Sequence, residues 1–320
     1  MLVLALATLG GCTNSDSNSQ AIETASAESF SADVSQILEN ARRIPTTSRW
    51  FEVLALPNDI YALWEPGHGD YVNSFLIAGE TKHVLYDTGL GFVSIKAAVQ
   101  EIIAAENLPD LPIMVINSHN HLDHNGGNIE FDNAWIIEDE WGIEKLTQGL
   151  SGFAGYWQQR TDHPGVKWPE NVDPETFSLP RFPRERIRFL ADGDTVDLGN
   201  RRFQVIHTTA HSPDGLALYD PSTQIFFGGD TFVGDRFLVR SLDMLADDLE
   251  RLSTLPVAWH YSSHGPQLLA TMQAGRQLVA VRRMLEGEGS VSTTTFAGLE
   301  FPLRELEGVS VTLASDFLLY

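Results

Sequence analysis

The stretch that most constrains this chain is Ser118-His119-Asn120-His121-Leu122-Asp123-His124-Asn125-Gly126-Gly127. It places three histidines and an aspartate within six residues, directly after the apolar run Ile113-Met114-Val115-Ile116. That run is β-branched and bounded by Pro112 and Asn117, and it predicts a short buried strand. The cluster therefore sits on the loop leaving a core strand, where α/β sheets present chemistry. Histidine and carboxylate are the ligands that zinc and similar borderline metals take. An open catalytic site uses three protein ligands and keeps a place for water, so four donors are too many for one site. The spacing divides them. His119 and His121 can converge on one metal, while Asp123 and His124 point elsewhere.

His-x-His-x-Asp-His, here His119 to His124, resembles the signature of the metallo-β-lactamase superfamily, and the flanks Asn117-Ser118 and Asn125-Gly126-Gly127 are similar too. The resemblance covers about residues 50 to 285. It implies an α/β fold, an αββα sandwich of two mixed sheets flanked by helices. Three further segments supply what the first cluster lacks. Thr208-Thr209-Ala210-His211-Ser212-Pro213 resembles the superfamily's third-histidine motif. Phe226-Phe227-Gly228-Gly229-Asp230-Thr231 puts an aspartate after an apolar strand, and Ser262-Ser263-His264-Gly265-Pro266 puts a histidine after Pro256-Val257-Ala258-Trp259. All three lie at the carboxyl ends of predicted strands, the same end as His119.

The ligand set implied is His119, His121 and His211 on metal one, Asp123, His124 and His264 on metal two, and Asp230 bridging both. Two Zn2+ are the expected cofactors, with Mn2+ or Fe2+ as alternatives. Two divalent ions, two aspartates and a hydroxide leave a net charge of about +1, a pit suited to carbonyl oxygens and carboxylates. Zinc lowers the pKa of a bound water toward roughly 7, so hydroxide is available at neutral pH. The resemblance thus implies a hydrolase whose zinc-bridging hydroxide attacks the carbonyl of an ester, lactone, thioester or β-lactam. The expected partner is a small molecule with a polarisable carbonyl. An iron-dependent persulfide dioxygenase using the His119/His121/His211 face, and a phosphodiesterase, are the alternative readings of the same signature.

Asp123, Asp87 and Tyr261 are the candidate catalytic residues. Superfamily members carry an aspartate in the Asp87-Thr88-Gly89 turn, bonded near the ligand histidines, where it fixes tautomer and orientation; a turn aspartate capping its own backbone is the structural alternative. Tyr261 lies three residues before His264 and could donate to an oxyanion, or it is a buried tyrosine satisfied by any partner. His68, in the turn Pro66-Gly67-His68-Gly69, is a candidate substrate contact, as are Trp157 and Trp168. Histidines 83, 163, 207 and 260 match no motif position.

Departures from family patterns narrow the substrate. With Cys12 the only cysteine, no zinc ligand is a thiolate and the β-lactamase class with a cysteine at metal two is excluded. The other di-zinc β-lactamase class usually lacks the bridging aspartate. Acyl-homoserine lactonases carry a tyrosine three residues past that aspartate, where this chain has Val233. Glutathione thioesterases add a helical C-terminal domain rich in basic residues, whereas this tail alternates as strands do and carries only Arg304. A broad carboxylic-ester, lactone or β-lactam hydrolase is left.

The 320 residues suit one large domain. A net charge of −22 repels nucleic-acid backbones, which argues against the nuclease branch of the superfamily. Residues 1–30 read as a lipoprotein-type signal and flexible tether. Leu9-Gly10-Gly11-Cys12 resembles a bacterial lipobox, and the Ser/Asn/Ala-rich stretch after it has a linker's composition. Cys12 is thus a possible lipid-anchor site, and the bacterial cell envelope, on its periplasmic side, the expected location. The catalytic domain is expected over 31–290, with helices at Ser35–Arg43, Ile95–Ala105, Glu138–Leu146, Leu242–Leu255 and Met272–Leu285. Within it, 147–185 is rich in aromatics and proline but lacks periodicity, which suggests a lid or pocket wall. Residues 291–320 are expected to pack on the same domain as an edge hairpin.

Overall fold

The computed structural model of the chain describes residues 34–67, 71–148, 168–173, 176–269, 273–296 and 299–314. Residues 34–40 are helical and run into β1 (Arg42–Ile44), which pairs antiparallel with β2 (Glu52–Leu56). The helix predicted to reach Arg43 thus stops early, because Arg42 and Arg43 pair instead with Ala55 and Leu54. Sheet pairing overrides local helical preference there. β3 (Ile60–Trp64), β4 (Asn73–Ile77) and β5 (His83–Tyr86) continue the antiparallel order. From β5 onward the strands run parallel: β6 (Ile113–Ile116), β7 (Ala134–Ile137) and β8 (Ile187–Leu190). Parallel neighbours need crossovers. α1 (Ile95–Ala105) and α3 (Glu140–Gln148) lie within two of them, and the short turn α2 (Leu122–Asn125) carries the histidine cluster.

The second sheet has the order β15-β14-β12-β11-β10-β9. Its members are β9 (Thr195–Asp197), β10 (Arg202–Thr208), β11 (Gly215–Asp220), β12 (Ile225–Phe227), β14 (Trp259–Tyr261) and β15 (Leu268–Leu269). Between β12 and β14 the chain forms β13 (Arg236–Val239) and α4 (Leu242–Leu252), and α5 (Ala274–Leu285) follows β15.

Strand alternation assigns each face. In the first sheet Leu63, Leu76, Leu85, Val115 and Ile136 meet Val99 and Ile102 of α1 and Ile143 and Leu146 of α3. The alternate set, Ala62, Phe75, Val84, Tyr86 and Ile116, meets Phe203, Val205, Leu218 and Phe227 of the second sheet. The far face of that sheet, Ile206, Ala217, Tyr219 and Phe226, meets α4 and α5 through Leu245, Leu249, Leu278 and Val281. Helices, two sheets and helices therefore stack in four layers, the αββα sandwich that the sequence predicts. The tail strands β16 (Ser290–Phe296), β17 (Leu299–Leu306) and β18 (Val309–Leu313) form the expected antiparallel hairpins, but not at the edge of either main sheet. They join β13 in a third sheet of order β13-β18-β17-β16, in which β18 runs parallel to β13. Val309 and Val311 pack into the core beneath α4 and α5.

The topology fixes where loops emerge. β10, β12 and β14 point the same way, since β11 is antiparallel to both β10 and β12 while β12 and β14 are parallel. Their carboxyl ends lead to His211, Asp230 and His264. The end of β6 leads to His119, and the Leu216 amide donates to the Ser118 carbonyl at 2.6 Å, joining the two sheets at that rim. Beneath it, Phe227 is fully buried with ring centroids 5.3 Å from Phe75, 5.4 Å from Tyr86 and 4.9 Å from Tyr261. Phe227→Ala is expected to cost about 3–5 kcal/mol, measured as a lowered midpoint in chemical denaturation.

Candidate metal centre

The apolar strand β6 ends at Ile116, and the chain turns sharply through Asn117 and Ser118 into the cluster. Asn117 donates its amide to the His124 carbonyl at 2.9 Å and shares an amide–amide pair with Asn128, which closes this loop on itself. Gly126 packs against the Gly89–Leu90 backbone, where a Cβ would lie 2.4 Å from the Leu90 carbonyl carbon. Only glycine permits that approach. On the opposite side, Asn73 donates to the carbonyls of Ser262 and Gly265 at 2.8 and 3.1 Å, holding the loop that presents His264.

Three imidazoles meet at one point. His119 Nε2 lies 2.8 Å from His121 Nδ1, and His211 Nε2 lies 3.1 Å from the same atom. The opposite ring nitrogens of His119 and His211 are committed: His119 Nδ1 to Ser118 Oγ at 2.9 Å, and His211 Nδ1 to the Leu238 carbonyl at 2.7 Å. With Nδ1 carrying the proton, both Nε2 atoms present bare lone pairs, and lone pairs this close call for a cation between them. A second group forms beside it, with His124 Nε2 at 3.5 Å and His264 Nε2 at 3.6 Å from Asp123 Oδ2. Asp230 stands between the two. Its Oδ2 is 3.0 Å from His264 Nε2, 3.7 Å from His211 Nε2 and 3.9 Å from His119 Nε2, while Oδ1 is 3.4 Å from His124 Nε2. His124 Nε2 and Asp230 Oδ1 are buried and make no hydrogen bond. These orphaned atoms and the donor chemistry fit divalent metal ions in both groups, and the sets His119/His121/His211, His119/His124/Asp230 and Asp123/His124/His264 each suffice to hold one.

Electrostatics separate the two groups. Burial draws the imidazoles of His119, His121 and His211 down, His121 to about 3, so the first group is neutral and free to ligate. His124 is also buried, yet the carboxylates of Asp230, Asp123 and Asp87 outweigh that and hold its pKa well above the histidine range. Burial would likewise raise Asp230. The imidazoles of His264 and His124 prevail and hold it well below the carboxylate range. A buried charge cluster of this kind needs cations or protons.

Asp87 directly follows β5. Its Oδ1 accepts the Ser118 amide at 2.6 Å, and its Oδ2 accepts Ser118 Oγ at 2.8 Å and His124 Nδ1 at 3.0 Å. It thereby directs His124 Nε2 inward. It adopts φ of 64°, a left-handed conformation that aspartate tolerates. Tyr261 is a correction. Its side chain is fully buried between the sheets, stacked on Phe227, and its hydroxyl donates to the Pro57 carbonyl at 3.2 Å rather than toward the metal rim. Trp168 packs on Phe92 and Phe177, with centroids 4.6 and 6.2 Å away, and lines a groove of about 1020 Å3 with Trp50 and Gly67. That places it on the helix-covered side of the first sheet. His68, Trp157, Cys12 and most of 147–167 lie outside the described residues. Of the remaining histidines, His83 takes the Gly79 amide on Nδ1 and faces the Pro109 carbonyl with Nε2, His207 bonds the Pro213 carbonyl, and His260 is buried against Phe226.

Several supporting residues escape the sequence reading. Glu65 directly follows β3 and is buried, bonded by the Trp50 indole and, at 2.9 Å, by the Leu90 amide, and burial pushes its carboxyl up to about 7. Asp248 on α4 accepts the Thr209 and Ala210 amides at 2.9 and 2.8 Å, orienting the turn into His211. Asp214 accepts Asn120 Nδ2 at 2.6 Å and so ties the His119–His121 loop to the His211 loop. An acid interrupting an apolar run was the signal available for Glu65. Asp214 and Asp248 offer none, because their partners lie on distant segments.

A model of the metallo-β-lactamase superfamily matches residues 67–282. Human acyl-coenzyme A thioesterase MBLAC2 is 28% identical over 194 residues, covering 57% of this chain and 66% of that protein. The hydroxyacylglutathione hydrolase of Rhodospirillum rubrum is 27% identical over 158 residues, 48% of each chain. The chain thus spans between about half and two thirds of these relatives' length. The solved structure of metallo-β-lactamase family protein TTHA1429 from Thermus thermophilus superposes with a TM-score of 0.52 at 22% identity, covering 72% of this chain and 81% of that one, which shows a common fold. With the family model matching most of its length and the histidine–aspartate rim assembled at the strand ends, this chain belongs to the metallo-β-lactamase superfamily.

Proposed function

We propose that this protein is a di-zinc hydrolase that cleaves thioesters. The observation that carries the reading is the position of Asp230, whose two oxygens face His124 and His264 on one side and His119 and His211 on the other. That arrangement suits a pair of metals sharing one carboxylate. The thioester preference is supported by the similarity to MBLAC2, named an acyl-coenzyme A thioesterase, and to a protein named hydroxyacylglutathione hydrolase. When bound, the metals would acidify a water and polarise the substrate carbonyl. The chain's own residues do the rest. His119, His121 and His211 would hold the first metal as neutral ligands, Asp123, His124 and His264 would hold the second, and Asp87 keeps His124 in the ligating tautomer through its 3.0 Å bond. Burial of His119, His121, His124 and His211 keeps bulk water from competing for these ligands. The lipobox-like Leu9–Cys12 segment supports an envelope location with Cys12 acylated, and Cys12→Ser is then expected to move the protein from the membrane to the soluble fraction of cells.

Elemental analysis of the purified protein is expected to give two zinc ions per chain. Chelation should lower the melting temperature, and zinc should restore it, because metal binds only the folded state. One iron per chain with sulfur-dependent oxygen uptake would overturn the assignment. On acyl-coenzyme A and acylglutathione, Asp230→Ala and His119→Ala are each expected to lower kcat by roughly a thousandfold or more, read by thiol release. Activity surviving both changes would refute the site. Asp87→Ala should weaken metal binding by about 10- to 100-fold, measured by competition with a chromogenic chelator.

A further inference from the structure

The turn 87–91 seats the short helix α2, and Glu65 holds that turn from the end of β3. The Thr88 amide donates to the His124 carbonyl at 2.8 Å, and the Gly126 amide donates to the Gly89 carbonyl at 2.9 Å. Asp87 opens the turn and orients His124. Further along, the Leu90 amide donates to Glu65 Oε1 at 2.9 Å. The same oxygen lies against Gly89, where a Cβ would come within 2.0 Å of it, and Gly89 adopts a φ of 65° that glycine takes without steric cost. Glu65 Oε2 accepts the Trp50 indole N–H. Glu65 is 2% exposed, so both oxygens of a buried carboxylate are committed to N–H donors. Contacts thus run from Trp50 through Glu65 to Gly89 and Leu90, and on to Gly126 and His124.

We propose that Glu65 is a positioning residue for the second metal, holding Gly89 and Leu90 so that α2 presents Asp123 and His124 in ligating position. The inference rests on the two-metal reading and gives one of its sites a support outside the ligands themselves. Moving either donor away would strand a buried carboxylate oxygen, so the pairing pins the turn to β3. Beyond burial, which dominates, and its two hydrogen bonds, the charges acting on the Glu65 carboxyl are those of Asp123 and His124, both in the second group. The first group is held by other contacts: the Leu238 carbonyl on His211, and the Asn120–Asp214 pair between its two loops. Disturbing Glu65 is therefore felt first at the second metal.

The test measures both zinc affinities of the full-length protein by competition with a chromogenic chelator. Glu65→Leu keeps the apolar volume and removes both acceptors. It is expected to weaken the second zinc by roughly tenfold to a hundredfold while the first moves by less than about threefold. Double variants assign the site. Added to His264→Ala, which removes a ligand of the second metal, Glu65→Leu should leave the remaining zinc unchanged; added to His121→Ala, it should weaken the remaining zinc by its full factor. Glu65→Gln combined with Trp50→Phe keeps an oxygen for the Leu90 amide without opposing two N–H donors, and should restore the second affinity to within about threefold. If Glu65→Leu does not fold, Glu65→Asp carries the comparison. It keeps the charge but is too short to reach both donors, and should weaken the second zinc by about threefold to tenfold. Unchanged affinities, equal weakening of both metals, or no recovery in the glutamine variant would overturn the proposal and leave the two-metal reading standing. A wild type that binds a single metal sinks both.

Discussion

The Asp230 carboxylate, buried between two groups of histidines, is the interaction on which the rest of this structure depends. Its Oδ1 faces His124 Nε2 at 3.4 Å without a hydrogen bond to either atom, and the carboxylate draws the His124 pKa far upward. Such an arrangement is costly in a protein interior unless positive charge fills it. The surrounding fold is built to hold these groups in place despite that cost. Asp87 anchors His124 and Ser118, Asp214 ties the loops of the first group together, Asp248 caps the turn before His211, and Asn73 holds the His264 loop.

Those supports work because the two sheets deliver their strand ends to one rim. β10, β12 and β14 share a direction, and the Ser118 carbonyl accepts an amide from Leu216 across the sandwich. The aromatic packing around Phe227 directly below makes the rim rigid, since a tightly packed core resists small displacements. The position of the ligands is therefore a consequence of packing well away from them.

Much of this was legible in one dimension. The apolar run 113–116 followed by a ligand-rich loop marks β6 and its cluster, and helical periodicity places α1 at its observed bounds and α4 and α5 within a few residues of theirs. One expectation failed and another held only in part, each for an identifiable reason. Tyr261 sits close to His264 in sequence, but strand alternation turns its side chain into the inter-sheet core, where the Pro57 carbonyl satisfies the hydroxyl. The tail forms its antiparallel hairpins, yet β18 also finds a parallel partner in β13, some seventy residues earlier, which draws them into a third sheet.

By itself the sequence determined what adjacent residues carry: the order and type of the elements, the donor atoms available for metal, and the exclusion of a thiolate ligand by a single cysteine at position 12. Only the tertiary structure decided which residues meet. It set Asp230 between the two histidine groups, joined Asp214 to Asn120, buried Glu65 against Trp50, and set the Trp141 ring against His121. The physical reason is that periodicity and spacing report forces acting within a few residues. Contacts between segments far apart in the chain are set instead by how two sheets and their helices close on one another.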